Sequence, residues 1–209
     1  MGLQRRLTAK HLLTGCLLAT LVTASGCGGA RPYSLMYKSA SSELSAPAQA
    51  RDHRLKANLR AALLAEEGIA GLSLSPDVVM ERGYVIGRVE TADQAATILR
   101  IARGVTGLRS VDVYLPTSPP QHDADSSTIS DMTIHTQIAT ALRLAPGVVA
   151  SRINVTVLDR RAVLLGVVSS DQERHQAVEA VAGVEGVKGV TNWLVLPEPD
   201  YMAVRPKLR

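Results

Sequence analysis

The chain contains no phenylalanine, and aromatic residues make up only 3% of its 209 residues. Apolar residues still account for 46% of the chain, so any core is built from Val, Leu, Ile and Ala. The length allows one domain or two small ones, because domains run from about 50 to 250 residues. Composition therefore predicts an aliphatic core and leaves the number of domains open.

Residues that carry catalysis or bind metals are scarce. The chain has two cysteines, and its five histidines are scattered without a metal-ligand spacing to a second His or Cys. No nucleophile-elbow or phosphate-loop pattern is present. If the N-terminal segment is removed as described below, one Cys remains, which excludes an internal disulfide. The sequence predicts a protein that is not an enzyme and that needs no cofactor or metal.

The net charge of +4 is concentrated at the start of the chain. The first 27 residues hold three basic residues and no acid, and removing them leaves 20 basic residues against 19 acidic ones. A polyanion-binding protein needs a clustered excess of Lys and Arg. After Cys27 the largest such group is the tail Arg205, Lys207, Arg209. Nucleic acid is therefore not a predicted partner.

Residues 1–26 read as a signal peptide. A basic stretch to His11 is followed by the apolar run from Leu12 to Val22 and by small residues, the order typical of an export signal. The apolar run is about half of the ~20 residues that a membrane-spanning helix requires. Cleavage is therefore favoured over a transmembrane anchor.

The segment Ala24-Ser25-Gly26-Cys27 resembles a lipobox, at which bacteria acylate the Cys and cleave before it. Leu13-Thr14-Gly15-Cys16 fits the pattern by residue type, but too little apolar sequence precedes it. We expect lipidation at Cys27, with a simple secretory cleavage site as the alternative. Gly28 follows, not the Asp that would indicate inner-membrane retention, so we expect an outer-membrane protein that faces the periplasm.

The mature part is duplicated at a constant offset of 79 positions, which places Gly87 on Gly166 and Asp52 on Asp131 without a gap. We call residues 52–115 repeat 1 and residues 131–194 repeat 2. Further aligned pairs are Leu55 and Ile134, Leu59 and Ile138, Leu63 and Leu142, Arg82 and Arg161, Gly104 and Gly183, Gly107 and Gly186, Val111 and Val190, and Leu115 and Leu194.

Each repeat shows the same order of hydrophobic periods. A helical stripe follows Asp52 or Asp131, which are placed to cap the helix starts. Two alternating segments such as 153–157 and 163–168 then predict a hairpin. Thr91 or Ser170 is placed to cap a second helix, and a final strand follows. The prediction is an α+β protein with two αββαβ domains, each with a three-stranded sheet and both helices on one face.

Four glycines have structural roles in this interpretation. Gly104 and Gly183 end the second helices, where a C-cap requires a positive φ. This role is preferred to a phosphate cradle at Gly183, Gly186 and Gly189. Gly87 and Gly166 lie in strands, where glycine marks a close approach of backbone or helix.

The boundaries follow from the repeat and from Pro- and Ser-rich stretches. We predict the following segments: signal peptide 1–26, tether 27–51, domain 1 at 52–115, linker 116–130, domain 2 at 131–196 and C-terminal tail 197–209.

Repeat 2 carries a family resemblance in Leu164-Leu165-Gly166-Val167-Val168 and in the segment from Gly183 to Asn192. These residues resemble the BON domain, and the pair behind a lipoprotein signal is similar to the dual-BON outer-membrane lipoproteins. The resemblance implies phospholipid binding, support of envelope integrity and no catalysis. Repeat 1 departs from the pattern at Pro76 and at Arg109-Ser110-Val111-Asp112.

In the dual-BON lipoproteins, the resemblance implies, the first helix of the second domain contacts anionic phospholipid. The corresponding residues here include Met132, Thr133, Ile134 and Arg143, with Thr133 in place of the family's Trp and Gln137 in place of a Lys. Ile134 and Ile138 also have the spacing of core residues. The alternative function is an adaptor that docks an envelope protein through a sheet face or edge, with Trp193 as a candidate anchor.

Overall fold

The computed structural model describes residues 44–117 and 124–202, with the side chains of 124–129 left aside. The predicted signal peptide, Cys16, the predicted lipidation site Cys27 and the basic tail lie outside the described residues. The helices are α1 (Ala46–Leu64), α2 (Glu67–Ala70), α3 (Ala92–Arg103), α4 (Ala124–Leu144) and α5 (Asp171–Ala182). The strands are β1 (Leu74–Val79), β2 (Arg82–Gly87), β3 (Ser110–Tyr114), β4 (Ile153–Leu158), β5 (Arg161–Val167) and β6 (Gly189–Val195).

Each repeat forms its own three-stranded sheet, in the orders β1-β2-β3 and β4-β5-β6. The first two strands of each sheet are an antiparallel hairpin, and the third strand pairs in parallel with the second. A parallel pair needs a crossover, which α3 and α5 supply. The predicted αββαβ order is confirmed in both repeats, with α2 as an extra short helix in repeat 1 and a 3-10 turn at Ala150–Arg152 in repeat 2.

The first helix of each repeat begins earlier than predicted. Ser45 caps α1 through its hydroxyl, which accepts the N–H of Ala48, and Pro47 stands in the first turn, where a proline is tolerated. Residues 46–51 are thus helical and not tether. Likewise α4 starts at Ala124, inside the predicted linker. Part of the predicted tail is also folded, because Pro199–Tyr201 forms a 3-10 turn with Tyr201 buried.

The N-cap assignment of Asp52 and Asp131 is wrong for this reason, since both lie inside helices. The carboxylate of Asp52 instead accepts the backbone N–H groups of Met80 and Glu81 at 2.8 and 2.9 Å. Asp131 does the same for Asp159 and Arg160 at 2.9 and 2.8 Å. Each aspartate therefore fastens the first helix to the tip of the hairpin that follows it.

The hairpin tips have an uncommon backbone. Met80, Glu81, Asp159 and Arg160 all have positive φ, between 49° and 64°, as a two-residue type I′ turn requires. Such a turn usually contains Asn or Gly, because other side chains are strained there. The buried carboxylate beneath each tip offsets that strain by accepting both turn N–H groups.

Each repeat has a separate aliphatic core between its sheet and its two helices. In repeat 1 the core is formed by Leu55, Leu59, Leu63, Ile69, Val78, Val85, Val89, Ile98 and Ala102. In repeat 2 it is formed by Ile134, Ile138, Leu142, Ile153, Val155, Val157, Ala162, Leu164, Val168, Ala177, Val181 and Leu194. The helical stripes predicted from the sequence are therefore the faces that pack on the sheets.

Among residues 44–117 and 124–202, no helix has the length and apolar character needed to cross a bilayer.

Candidate functional site

The two sheets cover each other's second faces. A third cluster of buried residues contains Leu44, Ala48, Val79, Met80, Tyr84, Leu165, Val167 and Tyr201, with Trp193 and Val195 packed against it. The rings of Tyr84 and Trp193 lie 5.2 Å apart between centroids. Because strand side chains alternate, the strand residues of this cluster point away from the helix-side cores. The sheet faces were the docking surface of the alternative adaptor function. They are buried between the repeats.

Charged groups surround this interface, which we call the inter-repeat interface. Glu198 accepts hydrogen bonds from Arg82 at 2.9 Å and from Arg109 at 2.8 Å. The Arg109 hydrogen bond, supported by Arg82, holds the pKa of Glu198 below its usual value despite partial burial. Arg88 of repeat 1 pairs with Asp159 of repeat 2 and lies 3.7 Å from Asp131.

Tyr201 joins the end of the described chain to repeat 1. Its hydroxyl donates to Glu81 at 2.7 Å, and its backbone carbonyl accepts the N–H of Ser45 at 2.7 Å. The Tyr201 hydrogen bond outweighs burial and lowers the pKa of Glu81, which also pairs with Arg51. These contacts hold both ends of the described chain against the inter-repeat interface.

With the sheet faces closed, the two helix layers are the outward surfaces. On α4, Met132 is 62% exposed and Leu144 is 77% exposed, and Thr133 and Arg143 are exposed as well. Asp131 is the only acidic residue within 130–144, and its side chain is buried. This surface combines large apolar side chains with one cation.

Ile134 does not belong to that surface. It is 4% exposed and packs in the core with Ile138, since both lie on the helix face toward the sheet. Of the four sequence-predicted lipid contacts, the structure therefore places Met132, Thr133 and Arg143 at the surface and Ile134 in the core.

The BON-domain family model matches residues 51–115 and 130–198. This chain belongs to the BON-domain family. The matched stretches cover both repeats, so the resemblance read from the sequence is confirmed as a tandem pair of BON domains. The family is one of envelope proteins.

The chain is similar to osmotically-inducible protein Y of Escherichia coli (strain K12). It is 28% identical over 142 residues, which are 68% of this chain and 70% of the relative. Two solved structures of CdsD, a structural protein of the type III secretion system of Chlamydia trachomatis, also match. They are 18% and 16% identical, with TM-scores of 0.29 and 0.26, and each match covers 70% of this chain. This chain spans 63% and 67% of those two chains.

The glycines of the BON repeats have somewhat different roles from those predicted. Gly104 and Gly183 do follow the second helices, but with φ of −76° and −77°, so the predicted positive φ is wrong there. The positive φ occurs three residues later, at Gly107 (99°) and Gly186 (88°). There the chain reverses toward the last strand of each repeat.

Gly166 and Gly87 make the close approach that was predicted. A Cβ on Gly166 would lie 2.0 Å from the carbonyl oxygen of Arg152, and one on Gly87 would lie 2.7 Å from that of Ser73. The backbone just before β1 and β4 thus excludes any side chain at these positions. The N-caps predicted for the second helices are also confirmed, because Thr91 accepts the N–H of Gln94 and Ser170 accepts the N–H of Glu173.

Glu173 has a role that the sequence did not reveal. It is buried and accepts from the N–H and hydroxyl of Ser169 and from the N–H of Val149. Burial raises its pKa, but the Ser169 and Val149 donors outweigh this, so the pKa lies below its usual value. The position of Glu three residues after Ser170 was the available signal, since it is the spacing of a capping box.

Three arginines of the first BON repeat also escaped the sequence analysis. Arg54, Arg100 and Arg103 are exposed, and their counterparts in the second repeat are Thr133, Glu179 and Ala182. The net charge of the mature part does not reveal these arginines, because it sums the charges of repeat 1 and repeat 2. Comparing the two repeats position by position was the signal that could have found them. Within the described residues, no group of three or more His, Cys, Asp or Glu side chains is arranged to hold a metal ion.

Proposed function

We propose that this protein is an outer-membrane lipoprotein, acylated at Cys27 and facing the periplasm, that binds phospholipid surfaces and supports envelope integrity. The observation that carries the proposal is the exposed surface of α4, where Met132 stands out from the fold and, about three turns further along the helix, Leu144 stands out beside Arg143. Exposed apolar side chains next to a cation suit the boundary between acyl chains and anionic headgroups. The BON family, an envelope family, supports the location.

The closure of the sheet faces favours a membrane surface over a protein adaptor. An adaptor of the kind considered from the sequence would use a sheet face or edge, and Trp193 would be its anchor. Trp193 packs instead against Tyr84 in the inter-repeat interface, and the helix layers remain outward. Binding to a membrane through the helix layers is compatible with this packing, because it does not use the sheet faces.

Co-sedimentation with vesicles tests the binding. The soluble form beginning at residue 28 contains all the described residues, which belong to one compact unit. We expect it to sediment weakly but measurably with phosphatidylethanolamine vesicles that contain phosphatidylglycerol, and not with phosphatidylcholine vesicles. Absence of binding to either vesicle would overturn the proposal for the folded part.

Acylation needs a separate test. Cys27→Ala is expected to abolish acyl-label incorporation and to release the protein from the membrane fraction, since two or more acyl chains are needed for stable anchoring. Cys16→Ala is the matched control and should leave acylation unchanged. Continued labelling of the Cys27→Ala variant, with loss in Cys16→Ala, would move the anchor to Cys16.

A further inference from the structure

The helix layer of repeat 1 carries three exposed arginines at one end. Arg54 lies on α1, and Arg100 and Arg103 lie in the last turn of α3. The turn that follows α3 reaches α1 next to Arg54, because a Cβ on Gly107 would lie 2.9 Å from Cδ2 of Leu55. Arg54 and the last turn of α3 therefore lie at the same end of the layer. We call these three residues the cationic corner.

No carboxylate neutralises the cationic corner within the part of the chain that the structure describes. The ion pairs of repeat 1 involve Arg51, Lys56, Arg82, Arg88 and Arg109, and none involves Arg54, Arg100 or Arg103. The carboxylates that the structure describes near the hairpin tip are engaged already, and Glu198 is held by Arg82 and Arg109. Asp52 accepts the N–H groups of the hairpin tip, and Glu81 is held by Arg51 and Tyr201.

Repeat 2 serves as an internal comparison for this feature. Its counterparts of the cationic corner are Thr133, Glu179 and Ala182, so these three positions carry no positive charge in repeat 2. The fold therefore does not require arginine at these positions. Arg100 and Arg103 stabilise the C-terminal end of α3 through the helix dipole, but α5 ends equally well at Ala182 without a basic residue in its last turn.

The chain from the proposed anchor enters the fold at this end, within reach of the membrane. Cys27 precedes Leu44 by 17 residues, which span at most about 60 Å when extended. The chain then enters α1. The first half of this helix contains Arg54 and Asp52, and Asp52 contacts the hairpin tip. The end of repeat 1 that bears the cationic corner is thus the end at which the chain from Cys27 arrives.

We propose that the cationic corner of repeat 1 is the main contact of this protein with anionic phospholipid headgroups. This rests on the proposed function and adds to α4 of repeat 2 a second and stronger binding surface, on α1 and α3 of repeat 1. The helix layers lie on opposite sides of the paired sheets, so the two surfaces face different directions. The partner is a membrane with a negative surface, which attracts each nearby arginine.

The test is vesicle co-sedimentation with the soluble form from residue 28 and phosphatidylethanolamine vesicles containing phosphatidylglycerol. We expect each of Arg54→Gln, Arg100→Gln and Arg103→Gln to weaken binding about fivefold, and the triple variant to weaken it on the order of 100-fold. A matched triple variant removes the same charge from exposed residues of repeat 2, Arg160→Gln, Arg161→Gln and Lys188→Gln. It should weaken binding no more than a few-fold. Circular dichroism and melting temperatures confirm that the variants are folded.

Three results would overturn the proposal. If both triple variants lose affinity equally, total charge and not the cationic corner determines binding. If the corner variant binds like the wild type while Met132→Asp abolishes binding, the contact is α4, and the proposed function stands without this inference. If the wild type binds no vesicle, the proposed function of the folded part fails as well.

Discussion

The carboxylate of Asp52 accepts the backbone N–H of Met80 at 2.8 Å, across 28 residues of sequence. It also accepts the N–H of Glu81, so one side chain of α1 fixes both residues of the hairpin tip. Burial outweighs these two donors and raises the pKa of Asp52. The equivalent contact by Asp131 in repeat 2 shows that the arrangement belongs to the repeated unit.

We expect Asp52→Ala to destabilise the protein by at least about 2 kcal/mol, because two turn N–H groups would lose their acceptor and each costs about 1–3 kcal/mol when buried. Asp52→Asn keeps one acceptor oxygen and should cost less. Urea unfolding followed by circular dichroism measures both. A free energy of unfolding unchanged in Asp52→Ala would show that water replaces the carboxylate.

The glycine of the central strand of repeat 2 provides a second stability test. Gly166→Ala would place a methyl group 2.0 Å from the carbonyl oxygen of Arg152, so the backbone of β4 or β5 must move. We expect a loss of about 1–3 kcal/mol, and more for Gly166→Val. Gly68→Ala is the matched control, because nothing lies within 4 Å of a Cβ there. Equal melting temperatures for the Gly166 variants and the wild type would contradict the close approach.

Acidic pH is expected to loosen the inter-repeat interface through Glu198. Its folded-state pKa lies below the ordinary value of 4.5, so its ion pairs contribute stability that is complete above about pH 4.5 and is lost as the pH falls through the depressed value. Trp193, the chain's one tryptophan, reports on this interface through its fluorescence. Glu198→Gln should lose part of the acid-dependent change. The same pH profile in wild type and variant would exclude Glu198 as its source.

Much of the fold could be predicted because it repeats. The 79-residue offset reveals two αββαβ units before any element is assigned, and the caps at Thr91 and Ser170 follow from residue type and spacing. The start of α1 was not predicted although Ser45 and Pro47 are both helix-start signals, because Asp52 further along the chain is also an N-cap residue type. The Asp52 contact joins residues 28 positions apart, and no local pattern encodes it.

The pairing of the two sheets could not be predicted for a related reason. Strand alternation shows which side chains leave the helix-side core, but water, a partner or a second sheet could cover them. Tyr84 and Trp193 lie in different repeats, and no sequence pattern predicts that their rings are in contact. The cationic corner, in contrast, was readable from sequence, because the aligned repeats place Arg54 on Thr133 and Arg100 on Glu179.

The exposed position of Thr133 allows a gain-of-function test of α4. Thr133→Trp is expected to strengthen binding of the soluble form to anionic vesicles, because tryptophan favours the headgroup interface and Met132 beside it is exposed. Gln172→Trp, at an exposed position on α5, is the control for adding any tryptophan. If both variants bind alike, or if neither Met132→Asp nor Thr133→Trp changes binding, α4 does not touch the membrane.

The most direct test of phospholipid recognition is the affinity of the soluble form for phosphatidylethanolamine vesicles as phosphatidylglycerol content and salt concentration are varied. Because arginines attract an anionic surface electrostatically and salt screens that attraction, we predict affinity that rises with phosphatidylglycerol and falls steeply with salt. Binding that is indifferent to both, or absent throughout, would contradict the account.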